Sequence, residues 1–460
     1  MSTIAYLLTI NQVCANNVSA SGTLKLQYGI NDKYLTRLAL SAASSLLYSH
    51  NINNYITVGS FIKLSTVMMS NGVNPNGHFK PDILDVKANP NAAYLFLKSP
   101  KAGSIEIGLT DPVTQSMKIS SSDISVASGG IGGTWLNYTS LKDKIIFCPD
   151  LSLSLSDYNE VHGISFCFKP NPKLIENDVS LETYHYGYEV NSYGSHADDT
   201  IWSRPTLYTT YHGLSASIPV ISYYIPKFKG IEVGFSYIPK INDEGFTIYN
   251  NVVAGGIKYQ NKLFNIHYTL SGVAEYGTLN RSNNKLNKEL DLHKYNDIMS
   301  YSIGILLNYQ NIITFVGSYG SLGKSGIGTF RIYPNVSGSP IVDEISDNEF
   351  YDLGIKFTTS NNYNIGLTYF YNNKDVTITI DVDETKDQHD YVSVYNNKDV
   401  IGKKTQNKHS LSVYTLGLEK SLPNKISIYS DITYFTVDKS PIPDGNYSGY
   451  VVLVGTKYSF

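Results

Sequence analysis

The sequence lacks any run of about 18 consecutive apolar residues, the length that a transmembrane α-helix needs, so such helices are excluded. It is also poor in charge: only 16% of its 460 residues are Asp, Glu, Lys or Arg, and the formal net charge is −3. This balance gives no reason to expect a nucleic acid or an acidic substrate as a partner. A membrane location stays open, because the strands of a membrane barrel alternate in polarity and form no long apolar run.

Tryptophan is scarce, with 2 residues, whereas tyrosine is abundant, with 38. Asparagine, serine, isoleucine and glycine are also frequent, while alanine, glutamate and arginine, which favour helices, are few. Aromatic and β-branched residues favour strands, and Gly, Asn and Ser mark turns. The composition therefore predicts an all-β protein.

Cysteine is limited to three residues, the first of them near the start of the chain. Cys14 follows an apolar run at 4–10 in a small-residue setting typical of a signal-peptide cleavage site, and a second candidate site follows Ala20. The basic start of a secretory signal is missing, so we interpret residues 1–20 as a truncated signal peptide and residues 21–460 as one domain. Cys148 and Cys167 are then compatible with a disulfide in an oxidising periplasm, or with two free, buried thiols.

Side chains alternate with a period of two in about sixteen strand-like segments separated by turn signals. In 231–237, for example, one face carries Ile, Val, Phe and Tyr, whereas the other carries Glu, Gly and Ser. The pattern recurs in most segments, with Tyr or Phe at the segment ends. It indicates strands that have lipid on one side and water on the other.

The connections between these segments alternate in length. Turns of a few residues join one end of each strand pair, whereas long polar stretches such as 277–297, 320–349 and 372–409 join the other end. This asymmetry is typical of an outer-membrane barrel, and a β-sandwich gives no reason for it. The sequence predicts a transmembrane antiparallel β-barrel of about 16 strands, closed so that every lipid-exposed backbone group is hydrogen-bonded.

The last segment, 449–460, ends in the pattern Tyr458-Ser459-Phe460. It resembles the closing strand of Gram-negative outer-membrane barrels, which end in an aromatic-x-Phe pattern. The resemblance implies that Tyr458 and Phe460 form the terminal signal for barrel closure. It also implies the outer-membrane barrel assembly machinery as a partner.

Several internal stretches resemble the general porin family of alphaproteobacteria: 93–108, 129–138 and 222–239. The resemblance implies a sixteen-stranded barrel in the bacterial outer membrane, usually a homotrimer, that passes small hydrophilic solutes and ions by passive diffusion. It further implies that the loop after strand 5 folds inward as a constriction. The region 111–213 is longer than this pattern requires, which suggests an additional external cap.

Charged residues at predicted inward positions are the candidates for ion selectivity. On the constriction loop they are Asp111, Lys118 and Asp123; on the pore wall they are Lys25, Arg37, Glu232, Lys258, Lys356, Asp431 and Lys457. The functional hypothesis is a field across the narrowest point between loop acids and wall bases. The alternative is that these charges only solvate the lumen.

The sequence gives little support for a catalytic site or a cofactor-binding site. The histidines of the long loop, at 162, 185, 196 and 212, match no zinc spacing, and no Gly-Lys-Ser/Thr follows the glycine run at 129–133. We therefore predict no enzyme, no metal and no cofactor. Two functions are favoured: a passive porin, or a surface adhesin or antigen that uses the barrel as a scaffold for long loops that bind host or partner molecules. A third, a barrel-embedded enzyme, would need a carboxylate/His or Ser/His cluster at the rim, and the strand ends show none.

Overall fold

A computed structural model describes residues 18–31, 36–69, 89–130, 133–138, 219–243, 246–279, 293–323, 326–331, 341–344, 348–379, 404–438 and 447–460. Nearly all of them lie in antiparallel strands. The helical exceptions are one short α-helix, α1 (Val113–Met117), and 3-10 turns at Ser121–Asp123, Thr134–Tyr138 and Pro423–Lys425. Within these ranges no helix is long and apolar enough to cross a membrane.

The strands belong to one continuous sheet. In chain order they are β1 (Val18–Asn31), β2 (Thr36–Asn53), β3 (Ile56–Met69), β4 (Asn89–Ser99), β5 (Gly103–Leu109), β6 (Pro219–Tyr224), β7 (Ile231–Asp243), β8 (Phe246–Leu263), β9 (Ile266–Leu279), β10 (His293–Asn296), β11 (Ile298–Tyr309), β12 (Ile313–Gly323), β13 (Gly326–Arg331), β14 (Ile341–Glu344), β15 (Asn348–Thr358), β16 (Tyr363–Thr379), β17 (Lys404–Ser421), β18 (Ile426–Asp438) and β19 (Tyr447–Ser459).

Pairing of the first strand with the last closes the sheet into a barrel. The register of β1 and β19 runs from Thr23 opposite Ser459 to Asn31 opposite Val451. Gly22 and Phe460 then exchange two backbone hydrogen bonds, of 3.0 and 3.1 Å between N and O. The ring contains sixteen strands, because β10, β13 and β14 pair beyond the ends of their neighbours rather than within the ring. The predicted antiparallel barrel of about 16 strands is thus confirmed, and the inward-folded constriction loop stays a prediction.

Each strand presents an apolar face and a polar face, and the pairing registers keep the faces aligned around the ring. On β1, Leu24, Leu26 and Tyr28 are exposed on the apolar face, whereas Gln27 is buried on the polar face. On β19, Tyr458 lies on the apolar face opposite Leu24. A continuous, exposed apolar belt around a closed ring is the outer surface of a membrane barrel.

The long polar stretches are shorter than predicted. β16 and β17 pair without interruption from Tyr363 opposite Lys420 to Thr379 opposite Lys404, which removes both ends of the predicted stretch 372–409. Likewise β10, β13 and β14 fall within the other two stretches. The predictions that these residues are loops were wrong because β-branched residues such as Val376 and Ile378 continue the alternation of the strand that precedes them.

The predicted division at residue 20 stays a prediction. β1 begins at Val18, three positions before the predicted start of the mature domain, and residues 1–17 lie outside the described residues. Cys148 and Cys167 also lie outside them, as does the part of the long loop from 139 to 218.

Charge on the apolar face should destabilise the barrel. Leu416 lies on this face near the middle of the pairing between β17 and β18. We expect Leu416→Arg to lower the free energy of unfolding by about 2–4 kcal/mol, because arginine at the bilayer midplane is costly. The measurement is urea unfolding of the refolded protein in lipid vesicles. Ala43→Arg on the polar face is the control and should have a much smaller effect; equal losses would contradict the assignment of the faces.

Candidate functional site

Residues 111–130 and 133–138, which follow β5, lie against the polar face of the barrel wall. We call them the wall segment. Its contacts begin at β7, continue along β9, β15, β17 and β18, and end at β1. The segment therefore follows the wall around much of the ring.

The first turn of the wall segment is fixed by hydroxyl groups of the wall. The Val113 amide donates to Ser236 Oγ at 2.8 Å, and Ser271 Oγ donates to the Met117 carbonyl. Thr114 Oγ1 donates to Glu275 Oε2 at 3.4 Å. These bonds satisfy buried polar groups that would otherwise destabilise the contact.

Three wall carboxylates hold the middle of the segment by accepting its backbone N–H groups. The donor–acceptor pairs are Ser121 N to Asp352 Oδ2 (2.7 Å), Ala127 N to Glu419 Oε2 (3.2 Å) and Ser128 N to Asp431 Oδ2 (2.8 Å). Hydrogen bonds to a carboxylate are shorter and stronger than those between neutral groups. The geometry therefore fixes main-chain atoms, independently of the side chains of the segment.

The end of the wall segment is held by β1 and by an apolar cluster. Thr134 Oγ1 donates to Gln27 Oε1 at 2.7 Å, and Asn31 Nδ2 donates to the Tyr138 carbonyl at 2.9 Å. The Trp135 ring stacks on Phe435 with a centroid separation of 5.4 Å.

The same apolar cluster occupies polar-face positions of the last strands. Val451 and Leu453 of β19 are fully buried there, together with Phe350 and Phe370. The alternation had predicted water against this face of the strands. At these positions that prediction was wrong, because Trp135 and Tyr138 cover the wall and exclude water.

Glycines on the polar face leave room for the segment. A Cβ atom at Gly417 would lie 2.7 Å from Cγ2 of Val126, and one at Gly354 would lie 2.9 Å from Cδ1 of Ile124. The same holds for Gly234 and Gly256 under α1, Gly304 under Ile119, and Gly366 under Val126. Such close approach requires the absence of a side chain.

The Gram-negative porin family model matches residues 12–440. The chain belongs to the Gram-negative porin family. It is an outer-membrane channel for passive diffusion, and the resemblance noted in the sequence is confirmed. The polar face of this porin is accordingly its lumen face, and the apolar face meets lipid.

Two relatives with about one fifth of their residues identical match most of the chain. An uncharacterized protein of Rickettsia bellii is 21% identical over 425 residues, covering 80% of this chain and 76% of the relative. One of Rickettsia typhi is 20% identical over 410 residues, covering 81% and 77%.

Similar solved structures are found at low sequence identity. The anion-selective porin from Comamonas acidovorans is 13% identical, with 96% of this chain and 99% of that chain covered and a TM-score of 0.49. The outer membrane channel DcaP of Acinetobacter baumannii is 10% identical, with 96% and 97% covered and a TM-score of 0.47.

The predicted wall residues occupy the lumen face of the porin wherever their side chains are described. These are Lys25, Glu232, Lys258, Lys356, Asp431 and Lys457; the side chain of Arg37 lies outside the described residues. Glu232 and Lys258 are cross-strand partners, and Lys258 Nζ donates to the Ser116 carbonyl at 3.5 Å. Lys457 forms a salt bridge of 2.9 Å with Glu419.

Two of the predicted charges are covered rather than open to the channel. Asp431 is 3% exposed beneath the segment that it anchors, and Lys118 is 9% exposed with its Nζ bonded to Gln115. Asp111 and Asp123 are exposed, and Asp123 also accepts the Ser120 N–H at 2.9 Å. The charges of the wall segment that reach solvent are therefore acidic.

The anchoring carboxylates Glu275, Asp352 and Glu419 were not among the predicted site residues. The sequence does indicate that Asp352 lies on the polar face, because its two neighbours, Tyr351 and Leu353, belong to the apolar face of the same strand. Its partner is a backbone N–H group 231 positions away, which no sequence pattern indicates. Within the described residues no group of three or more His, Cys, Asp or Glu could hold a metal ion.

The absence of a side chain at Gly417 should allow the wall segment to lie close to the barrel wall. We expect Gly417→Val to displace Val126, to lower the free energy of unfolding by about 1–3 kcal/mol through overpacking, and to change the single-channel conductance. Gly272→Val is the matched control. Its Cβ atom would meet only Cγ2 of Ile257, at 3.7 Å, on the lipid face. Unchanged conductance in the Gly417 variant would contradict the assignment.

Proposed function

We propose that the wall segment is the constriction of a water-filled channel for small hydrophilic solutes and ions. The observation that carries the proposal is its attachment to wall carboxylates, through the N–H groups of Ser121, Ala127 and Ser128. Main-chain attachment around much of the ring gives a narrow passage a fixed width. A fixed width is what size selection by passive diffusion requires.

The open part of the passage lies along β2 to β5, which the segment does not contact through the hydrogen bonds described above. On this sector Lys63 and Lys98 are exposed on the lumen face, and Glu106 is partly exposed. Solutes would pass between this sector and the segment.

The net charges on the two sides of the passage differ in sign. The segment contributes Asp111 and Asp123, whereas the open sector contributes two lysines, Lys63 and Lys98, beside Lys25 of β1 and one partly exposed acid, Glu106. Opposed charges across a narrow passage select ions by charge and orient dipolar solutes. Asp431 and Glu419 act in the proposal as supports of the segment, because they are covered or paired, and Lys118 lies buried within the segment.

The proposal involves transport without a chemical step, and neither an enzyme activity nor a nucleic acid partner enters it. Several buried polar groups of the lumen face, such as Ser236, Asp352 and Asp431, hold the segment. The adhesin alternative depends on loops outside the described residues and stays a prediction.

Removal of the exposed acids should alter ion selectivity. We expect the double variant Asp111→Asn, Asp123→Asn to lower the permeability of cations relative to anions, because the negative side of the passage is neutralised. The measurement is the reversal potential of the refolded porin in a KCl gradient across a planar bilayer. Lys118→Gln is the control and should shift the ratio little, since Lys118 is buried. A shift with the control alone would contradict the proposal.

A homotrimer is the second part of the proposal, supported by the distribution of aromatic residues on the lipid face. Each of the other thirteen strands of the ring carries an outward Tyr or Phe, such as Tyr28, Tyr223 and Tyr414. The described side chains on the outward faces of β3, β4 and β5 include none. Aromatic residues mark the membrane–water interface, so a sector without them is suited to contact with another protein subunit.

Position 95 should therefore lie against a neighbouring subunit. Leu95 is outward and 65% exposed in the isolated chain. With the native cysteines replaced by serine, we expect a benzophenone attached to Leu95→Cys to produce covalent dimers and trimers of the chain on illumination. The same group at Leu416→Cys should produce lipid adducts only. Dimers and trimers from position 416 and none from position 95 would place the interface elsewhere.

A further inference from the structure

The turns at the short-turn end of the barrel carry positive charge only. These turns span 54–55, 100–102, 225–230, 264–265, 310–312, 359–362 and 422–425. They contain Lys101, Lys227, Lys229 and Lys425 but no Asp or Glu, although the whole chain has a formal net charge of −3. The positive charge is thus a local feature of this rim.

Lysines at the rim lie over aromatic rings rather than beside carboxylates. The Nζ atoms of Lys101, Lys229 and Lys420 lie 4.9, 5.3 and 4.6 Å from the ring centroids of Tyr55, Phe228 and Tyr363. Among the residues that the structure describes, none of these lysines forms an ion pair. Cation–π contact orients an ammonium group but does not neutralise it. The charge therefore remains available to an anionic group.

Two neighbouring turns combine these lysines with highly exposed apolar side chains. Phe228 is 67% exposed and Phe264 is 87% exposed. The Gln260 amide donates to the Gly230 carbonyl at 2.9 Å, and Lys227 Nζ donates to the side chain of Gln260. These bonds attach the turn 225–230 to the end of β8, which leads directly into the turn 264–265. We call Lys227, Phe228, Lys229 and Phe264 the rim patch.

Phe264 occupies an unfavourable position for a bulky residue. Its φ is 52°, in the left-handed region that the turns of β-hairpins normally fill with Asn, Asp or Gly. The side chain gains little burial in return, because it is almost fully exposed. The side chain is therefore available for a contact outside the chain.

We propose that the rim patch binds anionic phospholipid headgroups of the periplasmic leaflet. Short turns of outer-membrane barrels face the periplasm, so the patch lies where the strands leave the bilayer. Aromatic side chains partition into the interfacial region, and lysines near an anionic membrane surface are attracted to it. Phe228 and Phe264 would enter the interface while Lys227 and Lys229 bind phosphate groups. An anionic cell-wall polymer would match the charge but not the two exposed phenylalanines.

The test uses the full-length refolded porin in detergent micelles and native mass spectrometry. Phosphatidylglycerol and phosphatidylcholine are added in equal amounts, and the ratio of retained lipids is measured. We expect the wild type to prefer phosphatidylglycerol and the double variant Lys227→Gln, Lys229→Gln to lose about tenfold or more of this preference. The matched control, Lys63→Gln, Lys356→Gln on the lumen face, should keep it.

Phe264→Asn separates binding from folding. Asparagine adopts positive φ readily, so this variant should unfold at the same or a higher urea concentration than the wild type. It should nevertheless retain less phosphatidylglycerol. A structural role alone would move stability and leave lipid retention unchanged.

Three results would overturn the proposal. The rim variant could retain phosphatidylglycerol as well as the wild type, or the lumen-face control could lose as much preference. Alternatively, the wild type could sediment with peptidoglycan sacculi and retain no phosphatidylglycerol. The inference rests on the outer-membrane location and not on the constriction: single-channel conductance of the rim variant should equal that of the wild type, so failure of one proposal leaves the other intact.

Discussion

Closure of the hydrogen-bond ring is the constraint on which the rest of this porin depends. An unpaired backbone N–H or C=O group that faces hydrocarbon costs several kcal/mol of free energy. A sheet can therefore cross a bilayer only if it has no free edges. The pairing of β1 with β19 removes the last edge. Because the period of a strand is two, closure then assigns every side chain either to lipid or to the lumen.

Within the closed wall, the polar face becomes the support of the wall segment. Hydroxyl groups of the wall donate hydrogen bonds to the segment or accept them from it, and wall carboxylates accept them. Glycines make room for the apolar side chains of the segment, and the cluster around Trp135 and Phe435 holds its end. Much of the lumen face is therefore a buried interface within one chain. The remaining open sector, on β2 to β5, lies behind the aliphatic outer face that we assign to subunit contact.

The outer surface is divided in a comparable way. Tyrosines and phenylalanines on thirteen strands suit a lipid–water boundary, the aliphatic faces of β3 to β5 suit a protein neighbour, and the short-turn rim suits anionic headgroups. Because the wall is a single sheet thick, each region of its outer surface carries the side chains that suit the environment it contacts. One sheet thus contacts lipid, water and protein at different parts of its surface.

The sequence by itself determined the sixteen strands and their faces, because alternation such as Ile231, Val233 and Phe235 against Glu232 and Gly234 is a local pattern that each strand repeats. It also placed Lys25, Lys356 and Lys457 on the polar face. Only the tertiary structure decided which lumen-face residues meet water. Asp431 and Val451 are both covered by the wall segment, hundreds of positions away along the chain, and burial by so distant a segment leaves no trace in local periodicity.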